Sequence, residues 1–523
     1  MLIGIDLGTT YSAVSYLDSK GNPQIILNRE EEPTTPSVVY VDGDKVIVGK
    51  NAREKALSFP EKICKCIKRL MGFKEIALEQ DDEKYTPEAI SAIIIKRLLE
   101  DVLQQQKENI NGIVVTVPTY FDEIKRTATK QSVESAIEAL KTDSELAGRI
   151  KEKAFISMID EPKAAALYYS HKMEREQGKV MIYDLGGGTF DATLVELSEG
   201  KVTVIAEGEE HEAGGAFFDE KILKYVMDEV EKNHLIDLKS SEYVVERAKI
   251  LLEAENCKKK LSEDGVNAVN MTVGIKRKSV DVVITREKFE EMIEPYVYRT
   301  TDTMEDMLYD KGIMPEDVDE IVLVGGSSRI PYVREVLKDF FGKELSEAID
   351  PDKAVTYGAA IYAGMRYQEL GTEEQEEEKE EEAQVRVPLK LEDVCAHSIG
   401  LLITKNAVTK EKEDYVLIEE NTPIVAEAEQ EFHTAYASQT YINIELTEAG
   451  NKFTEENIKL PGSLPKGTKV KLRIRVNSDH LIEVALKIPS IDFFKEYEVT
   501  RINNLSEEEQ RVMSGLIAAK VLE

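Results

Sequence analysis

A short segment that occurs twice constrains this chain more than any other feature. The sequence IGIDLGTTYS at residues 3–12 recurs, with one residue inserted, as MIYDLGGGTFD at residues 181–191. Each copy predicts a strand, a glycine-containing turn and a second strand. Glycine lets the backbone approach a ligand closely, and successive N–H groups with neighbouring hydroxyls form a concavity suited to phosphate. Asp6 and Asp184, which begin the two turns, are placed to hold a divalent cation through water.

One copy alone is explained equally well as a tight hairpin with a side-chain-capped turn. Two copies favour two similar lobes that clamp one polyphosphate between them.

The net charge of the chain argues against polyanionic partners. The chain has 67 basic and 100 acidic residues, which leave a net charge of −33. Nucleic acid and anionic membrane surfaces would be repelled, so neither is an expected partner.

The chain also lacks the sequence features of a membrane or secreted protein. No uncharged apolar run reaches the roughly 18 residues that a membrane-spanning helix needs. Four cysteines are too few and too scattered for a disulfide framework. Asp6 interrupts any apolar signal-peptide region, so the expected location is the cytoplasm.

An acidic run divides the chain into two parts of different periodicity. Residues 373–382 contain eight glutamates, which predicts a solvated linker or a frayed helix end. Before it, strand-like runs alternate with helical ones, which predicts an α/β architecture. A strand over 112–118 precedes a helix over 122–140 capped by Asp122, and Thr86-Pro87 opens another helix. That second helix has one apolar face, formed by Ile90, Ile94, Leu98 and Val102.

After the acidic run the apolar period is two, which predicts a β-sandwich. The clearest strands carry Val470, Leu472, Ile474 and Val476, and then Ile482, Val484, Leu486 and Ile488. A single helix follows, opened by a capping box at Ser506 and Glu509, with Met513, Leu516 and Ile517 on one stripe.

The two copies and five further segments resemble the actin and sugar-kinase superfamily and, more closely, the heat-shock protein 70 (DnaK-type) chaperones. In the family's order these segments are residues 67–72 (IKRLMG), 115–121 (VTVPTYF), 160–166 (DEPKAAA), 322–331 (VLVGGSSRIP) and 350–360. The resemblance implies an α/β actin-like two-lobed ATPase domain over 1–368 and an acidic interdomain linker over 369–391. It further implies an all-β sandwich for peptide binding over 392–498 and a short C-terminal helix over 499–523, too short for a lid.

By the same resemblance the cofactors are ATP/ADP, Mg²⁺ and K⁺. Lys68 is implied to contact the γ-phosphate and the attacking water, and the other catalytic residues are Asp6, Glu161, Asp184 and Thr189. The metal is implied to be held through water by Asp6, Glu161, Asp184 and Asp191. The implied nucleotide-binding residues are Gly8, Thr9, Thr10, Tyr11, Gly186, Gly187, Gly188, Gly214, Gly215, Glu255, Lys258, Lys259, Ser262, Gly325, Gly326, Ser327, Arg329 and Asp352.

Two of these assignments also have a local argument. Positions 255, 258, 259 and 262 share one face of a helix, so that side is placed to reach ribose and adenine. A solvated charged face is the alternative. The planar guanidinium of Arg329 suits stacking on adenine.

The resemblance extends more loosely to the sandwich. It implies a peptide groove lined by Leu401, Ile403, Thr404, Phe432, Ala435, Ile442 and Ile444, with Ile442 in the central pocket. Alternating apolar residues of this kind equally describe an ordinary sandwich core. The implied allosteric residues are Pro118, its partner Arg126, and Leu389 and Leu391 in the linker.

Two departures from the family pattern bear on activity. Residues 214–219 read GGAFFD where the family usually has GGEDFD, so two carboxylates near the cleft are lost. The linker is acidic rather than leucine-rich. The expected function is an ATP-dependent chaperone acting on unfolded polypeptides, with a J-domain co-chaperone and a nucleotide exchange factor as partners. A nucleotide-gated binding or scaffold module with negligible turnover is the alternative, and a small-molecule kinase is disfavoured by the sandwich.

Overall fold

The structure is a computed structural model that describes residues 1–80, 82–143, 145–173, 177–198, 200–276, 278–374, 387–395, 397–406, 411–420, 422–499 and 504–522. These residues form two compact units. Unit 1 contains Met1–Tyr120, Thr129–Lys390 and Ser506–Glu523, and unit 2 contains Phe121–Ala128 and Leu391–Leu505. Among the described residues, no helix combines the length and the apolar character that crossing a membrane requires.

The elements up to residue 392 alternate between strands and helices. The strands are β1 Leu2–Leu7, β2 Tyr11–Leu17, β3 Pro23–Ile26, β4 Thr35–Pro36, β5 Val38–Asp42, β6 Lys45–Val48, β7 Ile63–Lys65, β8 Leu78–Gln80, β9 Glu83–Tyr85, β10 Ile110–Val117, β11 Ile150–Asp160, β12 Gln177–Leu185, β13 Phe190–Ser198, β14 Lys201–Glu210, β15 Ala268–Ile275, β16 Lys278–Thr285, β17 Glu320–Val324 and β18 Lys390–Glu392. The helices are α1 Lys50–Lys55, α2 Pro87–Gln105, α3 Glu123–Leu140, α4 Glu161–Met173, α5 Gly215–His234, α6 Val244–Leu261, α7 Arg286–Asp310, α8 Pro331–Phe341 and α9 Ala354–Glu374.

Two sheets of unit 1 contain the repeated segments. The first sheet has the order β11-β10-β1-β2-β3, with β4 beside β2, and the second contains β17-β12-β13-β14. The first copy forms the antiparallel hairpin β1–β2, and the second forms β12–β13, as the repeat predicts. Each hairpin also has a parallel neighbour, β10 or β17. The two copies therefore occupy equivalent places in their sheets.

Helices α4 and α9 cross between these sheets with their backbones in close approach. A Cβ added at Gly358 of α9 would overlap the carbonyl group of Ala164 in α4. On the other side of α9, a Cβ at Gly4 of β1 would overlap the backbone nitrogen of Ala360. Small residues are required here because a larger side chain would separate the helices from each other and from the sheet.

Helix α2 begins where the sequence predicts, since the Thr86 side chain accepts a hydrogen bond from the Ala89 N–H. The buried surface of this helix is wider than the single apolar face that the sequence predicts. Its residues are buried almost continuously from Pro87 to Leu103, including charged Arg97 and Asp101. These two charges are tolerated because they pair with each other, with Arg97 Nε 3.3 Å from the Asp101 carboxylate.

The C-terminal residues belong to unit 1 and cover part of α2. Helix α10, Glu507–Ala518, begins with the predicted capping box of Ser506 and Glu509, and it packs against α2. Met513 and Ile517 of this helix are buried. A short strand, β27 Val521–Leu522, then adds in parallel to β6, at the edge of the sheet β27-β6-β5-β7. The helix expected to end the sandwich therefore packs with the first unit.

Unit 2 is a sandwich of two four-stranded sheets, with the orders β20-β19-β22-β23 and β21-β24-β25-β26. Its strands are β19 Ile399–Asn406, β20 Glu411–Ile418, β21 Ala426–His433, β22 Gln439–Glu448, β23 Asn451–Leu464, β24 Lys469–Val476, β25 Ile482–Ile488 and β26 Phe493–Glu498. The alternating apolar residues predicted for β24 and β25 are all buried in one core. Period-two alternation determines which face of each strand is buried.

The expected linker lies partly outside the described residues. Helix α9 continues to Glu374, so the first residues of the acidic run end a helix. Residues 375–386, which contain the rest of that run, are outside the described residues. The described residues resume at 387. Lys390 donates its N–H to the Gly200 carbonyl at 2.9 Å, next to β14 of the second sheet.

Candidate active site

The turns of the two repeated hairpins face each other directly. A Cβ at Gly187 would overlap the Thr10 hydroxyl, and one at Gly188 would lie 2.6 Å from the Thr9 hydroxyl oxygen. A larger residue at position 187 or 188 would therefore displace the Thr9 or Thr10 side chain. The Thr10 hydroxyl is buried and has no hydrogen-bond partner within the described part of the chain. A buried hydroxyl beside a glycine turn suits a phosphate oxygen, so this pair of loops fits a polyphosphate.

Two other segments, one after β14 and one after β17, fix the second turn in place. Gly215 N–H and the Ser327 hydroxyl both donate to the Gly186 carbonyl, each at 2.9 Å. Gly325 has a φ of +77°, and a Cβ there would lie 2.5 Å from the Leu185 carbonyl oxygen. A Cβ at Gly214 would likewise lie 2.8 Å from the Gly188 carbonyl carbon. The glycines after β14 and β17, which are predicted to bind nucleotide, are thus brought to the turn of the second hairpin.

The first turn is held from the opposite side by Ser37. Its hydroxyl donates to the Gly8 carbonyl at 2.8 Å, and its N–H donates to the Thr10 carbonyl at the same distance. Sequence reasoning missed Ser37, which follows the short strand β4 and carries no motif of its own. Ser37 therefore fixes the conformation of the first turn through two of its carbonyl groups.

Four carboxylates from different elements influence one another beside these loops. Asp6 comes from β1, Asp184 from β12, Asp191 from β13, and Glu161 is the first residue of α4. Burial first, and then the charge of Glu161, raises the pKa of Asp6 to about 7. The same two causes raise the pKa values of Asp184 and Asp191 well above the ordinary range. Buried carboxylates that repel one another fit a hard divalent cation, which Mg²⁺ would satisfy.

Hydroxyl and backbone donors orient two of these acids. Thr116 donates to Asp6 at 3.3 Å, and the Thr119 N–H donates to Asp191 at 3.2 Å. The hydroxyl of Thr189, predicted to be catalytic, donates to Asp191 at 3.3 Å. These donors favour the charged carboxylates and so oppose the effect of burial on the pKa values of Asp6 and Asp191.

Lys68 places a buried cation among the acids. It lies in a 3-10 helix over Ile67–Leu70, its side chain is 3% exposed, and its ammonium pairs with the Glu161 carboxylate. Its charge lowers the pKa values of Asp6 and Asp184. The neighbouring Arg69 donates to the Gly188 carbonyl at 3.1 Å. The segment predicted to supply a cation therefore lies beside both the acids and the turn of the second hairpin.

A second charged cluster joins α1 and α6. Arg53 is 2.5 Å from the Glu255 carboxylate and donates to the Tyr11 hydroxyl at 2.6 Å. Lys259 is 2.7 Å from Glu255 and donates to Tyr11 at 3.0 Å. The predicted residues Glu255 and Lys259 are thus brought to Tyr11, at the end of the first turn. Arg53 was missed, since a single arginine in a short helix carries no sequence signal.

Lys258 contacts the segment that departs from the family pattern. Its ammonium is 2.8 Å from the Asp219 carboxylate and donates to the Gly215 carbonyl at 2.7 Å. Burial raises the pKa of Asp219 to about 6, although Lys258 opposes this shift. Phe217, at a position where a carboxylate is usual, packs against Tyr296 with ring centroids 4.7 Å apart. The predicted residue Ser262 follows the end of α6, and its hydroxyl donates to the Lys258 carbonyl at 2.9 Å.

Arg329 forms two ion pairs close to Gly325 and Gly326. It lies 2.9 Å from Asp350 and 2.8 Å from Asp352, with half of its side chain exposed. A Cβ at Gly326 would be 3.3 Å from the Asp352 carboxylate. Asp350 and Asp352 therefore restrict the position of the Arg329 guanidinium. Stacking of this group on adenine stays a prediction.

The four residues assigned to allostery are all buried or partly buried. Pro118 is buried directly after β10, and Leu389 and Leu391 are partly buried. Arg126 is buried and donates from Nε to the Phe121 carbonyl at 2.8 Å. The contact of Arg126 with Pro118 and the docking of the two leucines stay predictions.

The predicted groove residues fall into two classes within unit 2. Leu401 and Ile444 are buried in the sandwich core, and Ile403, Phe432 and Ile442 pack against that core with part of their surface exposed. Ala435 is partly buried and Thr404 is exposed. Leu401 and Ile444 therefore have the placement that the core interpretation predicts, whereas Ile442 keeps an accessible face.

The chain is similar to a known protein family. A family model described as "Hsp70 protein" matches residues 2–515, which is nearly the whole chain.

Proposed function

We propose, from the premise that this chain belongs to the Hsp70 family, that it is a chaperone in which ATP hydrolysis controls the binding of extended apolar polypeptide segments by the β-sandwich. Membership of the family supports ATP-dependent chaperone activity, ATP hydrolysis, and binding of ATP/ADP with Mg²⁺ in general. The finer statement, that hydrolysis to ADP and phosphate changes the affinity for peptide, is our proposal.

The observation that carries the proposal is the meeting of two glycine-containing turns, four carboxylates and one buried cation. Mg²⁺, when bound, supplies positive charge to the phosphate oxygens, and Asp6, Glu161, Asp184 and Asp191 would hold it through water. Gly186–Gly188 and the Thr10 hydroxyl would orient the phosphates. Lys68 provides a fixed positive charge that favours the negative charge developing on the γ-phosphate. Hydrolysis would then depend mainly on positioning and electrostatics.

The partners and conditions of this activity are also part of the proposal. Unfolded polypeptides and co-chaperones are partners of the family in general. For this chain we propose a J-domain co-chaperone, a nucleotide exchange factor, K⁺ as a second cation and a cytoplasmic location. The net charge of −33 supports the exclusion of nucleic acid and anionic membranes as partners.

A second candidate function is nucleotide-gated binding with negligible turnover. It is favoured by Phe217, whose ring packs on Tyr296 while Lys221 lies 4.2 Å from the Phe217 ring centroid. An apolar contact thus occupies a position where the family usually has a carboxylate. Steady-state phosphate release, measured with and without an apolar peptide and a J-domain protein, separates the two functions. Phosphate release that is stimulated by the peptide or the J-domain protein supports the chaperone cycle. Nucleotide binding without phosphate release above background supports the second candidate.

A further inference from the structure

Lys163 is a buried lysine that contacts one carboxylate from each of the two main sheets. It lies in the first turn of α4, and its side chain is 1% exposed. Its Nζ is 2.6 Å from the carboxylate of Asp160 and 3.4 Å from that of Glu207. Asp160 is the last residue of β11 in the first sheet, and Glu207 lies in β14 of the second. One ammonium group therefore joins the two sheets.

The burial of this cluster indicates what it contributes. The side chains of Asp160 and Glu207 are only 2% and 12% exposed. Removing such charges from water is costly, and well-packed apolar residues of similar volume often give equal or greater stability. What the cluster provides instead is geometry, because each ion pair restricts the position of the element that carries it.

The cluster also adjoins the candidate active site. Asp160 immediately precedes Glu161, which begins α4 and pairs with Lys68. In the second sheet, Glu207 is the register partner of Thr193, two residues along β13 from Asp191. The contacts of Lys163 therefore connect the strand that leads to Glu161 with the hairpin that carries Asp184 and Asp191.

We propose that Lys163 is a positioning residue whose contact with Glu207 holds the two sheets in the arrangement that encloses the nucleotide. This inference rests on the proposed function. Sites between two rigid bodies open by small hinge or shear movements, and a contact present only in the closed arrangement shifts the population toward it. The contact at 3.4 Å joins different sheets, whereas the contact at 2.6 Å lies within one turn. Loss of the Glu207 contact therefore favours opening, which speeds nucleotide release and slows hydrolysis.

The test uses the full chain with Glu207→Gln. This change keeps the shape of the side chain and leaves the pair between Lys163 and Asp160 intact. The matched control is Glu196→Gln, which removes the same charge from an exposed position on the neighbouring strand β13. Release of fluorescently labelled ADP is measured by stopped flow with Mg²⁺, and single-turnover hydrolysis of ATP is measured on the same proteins.

We expect Glu207→Gln to release labelled ADP about five- to tenfold faster and to hydrolyse ATP more slowly by a similar factor, within the range of ordinary conformational coupling. The control should stay within about twofold of the parent for both rates. The rate of release is a property of molecules that have bound nucleotide, so a lower folded fraction does not change it. Lys163→Gln also removes the pair with Asp160, so it should release ADP at least as fast as Glu207→Gln does. Adding Glu207→Gln to Lys163→Gln should have no further effect, because the contact between the two residues is already lost.

Unchanged release and hydrolysis in Glu207→Gln, with normal binding and hydrolysis in the parent, would overturn this inference alone. A lower melting temperature without faster release would also overturn it, since that result describes a purely structural contact. Failure of the parent chain to bind labelled ADP would overturn the proposed function and this inference together. Should Lys163→Gln fail to fold, Glu207→Gln still decides the question.

Discussion

The ammonium of Lys68 pairs directly with the carboxylate of Glu161, although the two residues are 93 positions apart in the sequence. Lys68 is delivered by a 3-10 helix after β7, and Glu161 by the N-terminus of α4. The pair brings a buried cation to carboxylates whose charges repel one another. A ligand that carries both metal and phosphate can contact both members of this pair. We therefore expect hydrolysis to depend on Lys68.

Replacing Lys68 with alanine should leave ATP binding within a few-fold of the parent and reduce hydrolysis at least tenfold, or about 1.4 kcal/mol. The lost charge acts on the transition state more than on bound ATP. Lys65→Ala is the control, because Lys65 is exposed and lies three residues earlier. Single-turnover hydrolysis and nucleotide titration measure the two effects. A decrease smaller than tenfold would show that Lys68 is not the catalytic cation.

The pKa of Asp6, raised from 3.8 to about 7, predicts a pH dependence of stability without nucleotide. Folding favours the protonated form of Asp6, so its contribution is fully present below pH 3.8 and is lost as the pH rises through about 7. We expect the melting temperature of the nucleotide-free protein to fall between pH 5 and pH 8, and Asp6→Asn to make this fall smaller. Equal slopes in the parent and the variant would contradict the prediction.

The same titration predicts competition between protons and Mg²⁺. Binding of the cation requires the charged carboxylate, so the apparent Mg²⁺ affinity should weaken as the pH falls below about 7. Calorimetric titration of Mg²⁺ into the ADP complex, in buffers of different ionisation enthalpy, would report the protons released. Affinity independent of pH between 6 and 8 is the opposing result.

The burial of Ile517 predicts that α10 is attached to unit 1 by its apolar face. Ile517→Asp places a charge at a position with no exposed surface, and it should weaken hydrogen-exchange protection of α10 by at least about 2 kcal/mol. Val512→Asp introduces the same charge on the same helix at a position that is 69% exposed. We expect that control to change protection by less than about 0.5 kcal/mol. Equal protection in the two variants would mean that α10 does not depend on this contact.

The partly exposed Ile442 predicts where a peptide is held. Ile442→Phe should fill the proposed pocket and weaken binding of an apolar peptide severalfold, at a cost in stability of about 1–3 kcal/mol. The effect should appear as faster release in stopped flow. Asn443→Phe is the matched control, because it adds the same ring to an exposed neighbour on the opposite face of β22. Peptide release unaltered by Ile442→Phe would argue against this pocket.

Local sequence patterns predicted the elements that build the site. The repeat around Asp6 and Asp184 predicted two strand–turn–strand units, and both hairpins are present. Thr86 and Ser506 predicted the starts of α2 and α10, where each accepts the expected capping hydrogen bond. Such features depend on residues a few positions apart, so periodicity and capping chemistry are enough to recognise them.

Patterns along the chain therefore predicted the two glycine-containing turns, the acids that begin them and the alternating strands of the sandwich. Three other features became visible only in the folded chain: Arg53 pairs with Glu255 across 202 positions, Lys163 contacts both Asp160 and Glu207, and α10 packs on α2. Arginine and lysine are usually solvated, and nothing in their neighbours along the chain distinguishes a buried one. Their partners are chosen by the packing of distant elements, which brings opposite charges together where water is excluded.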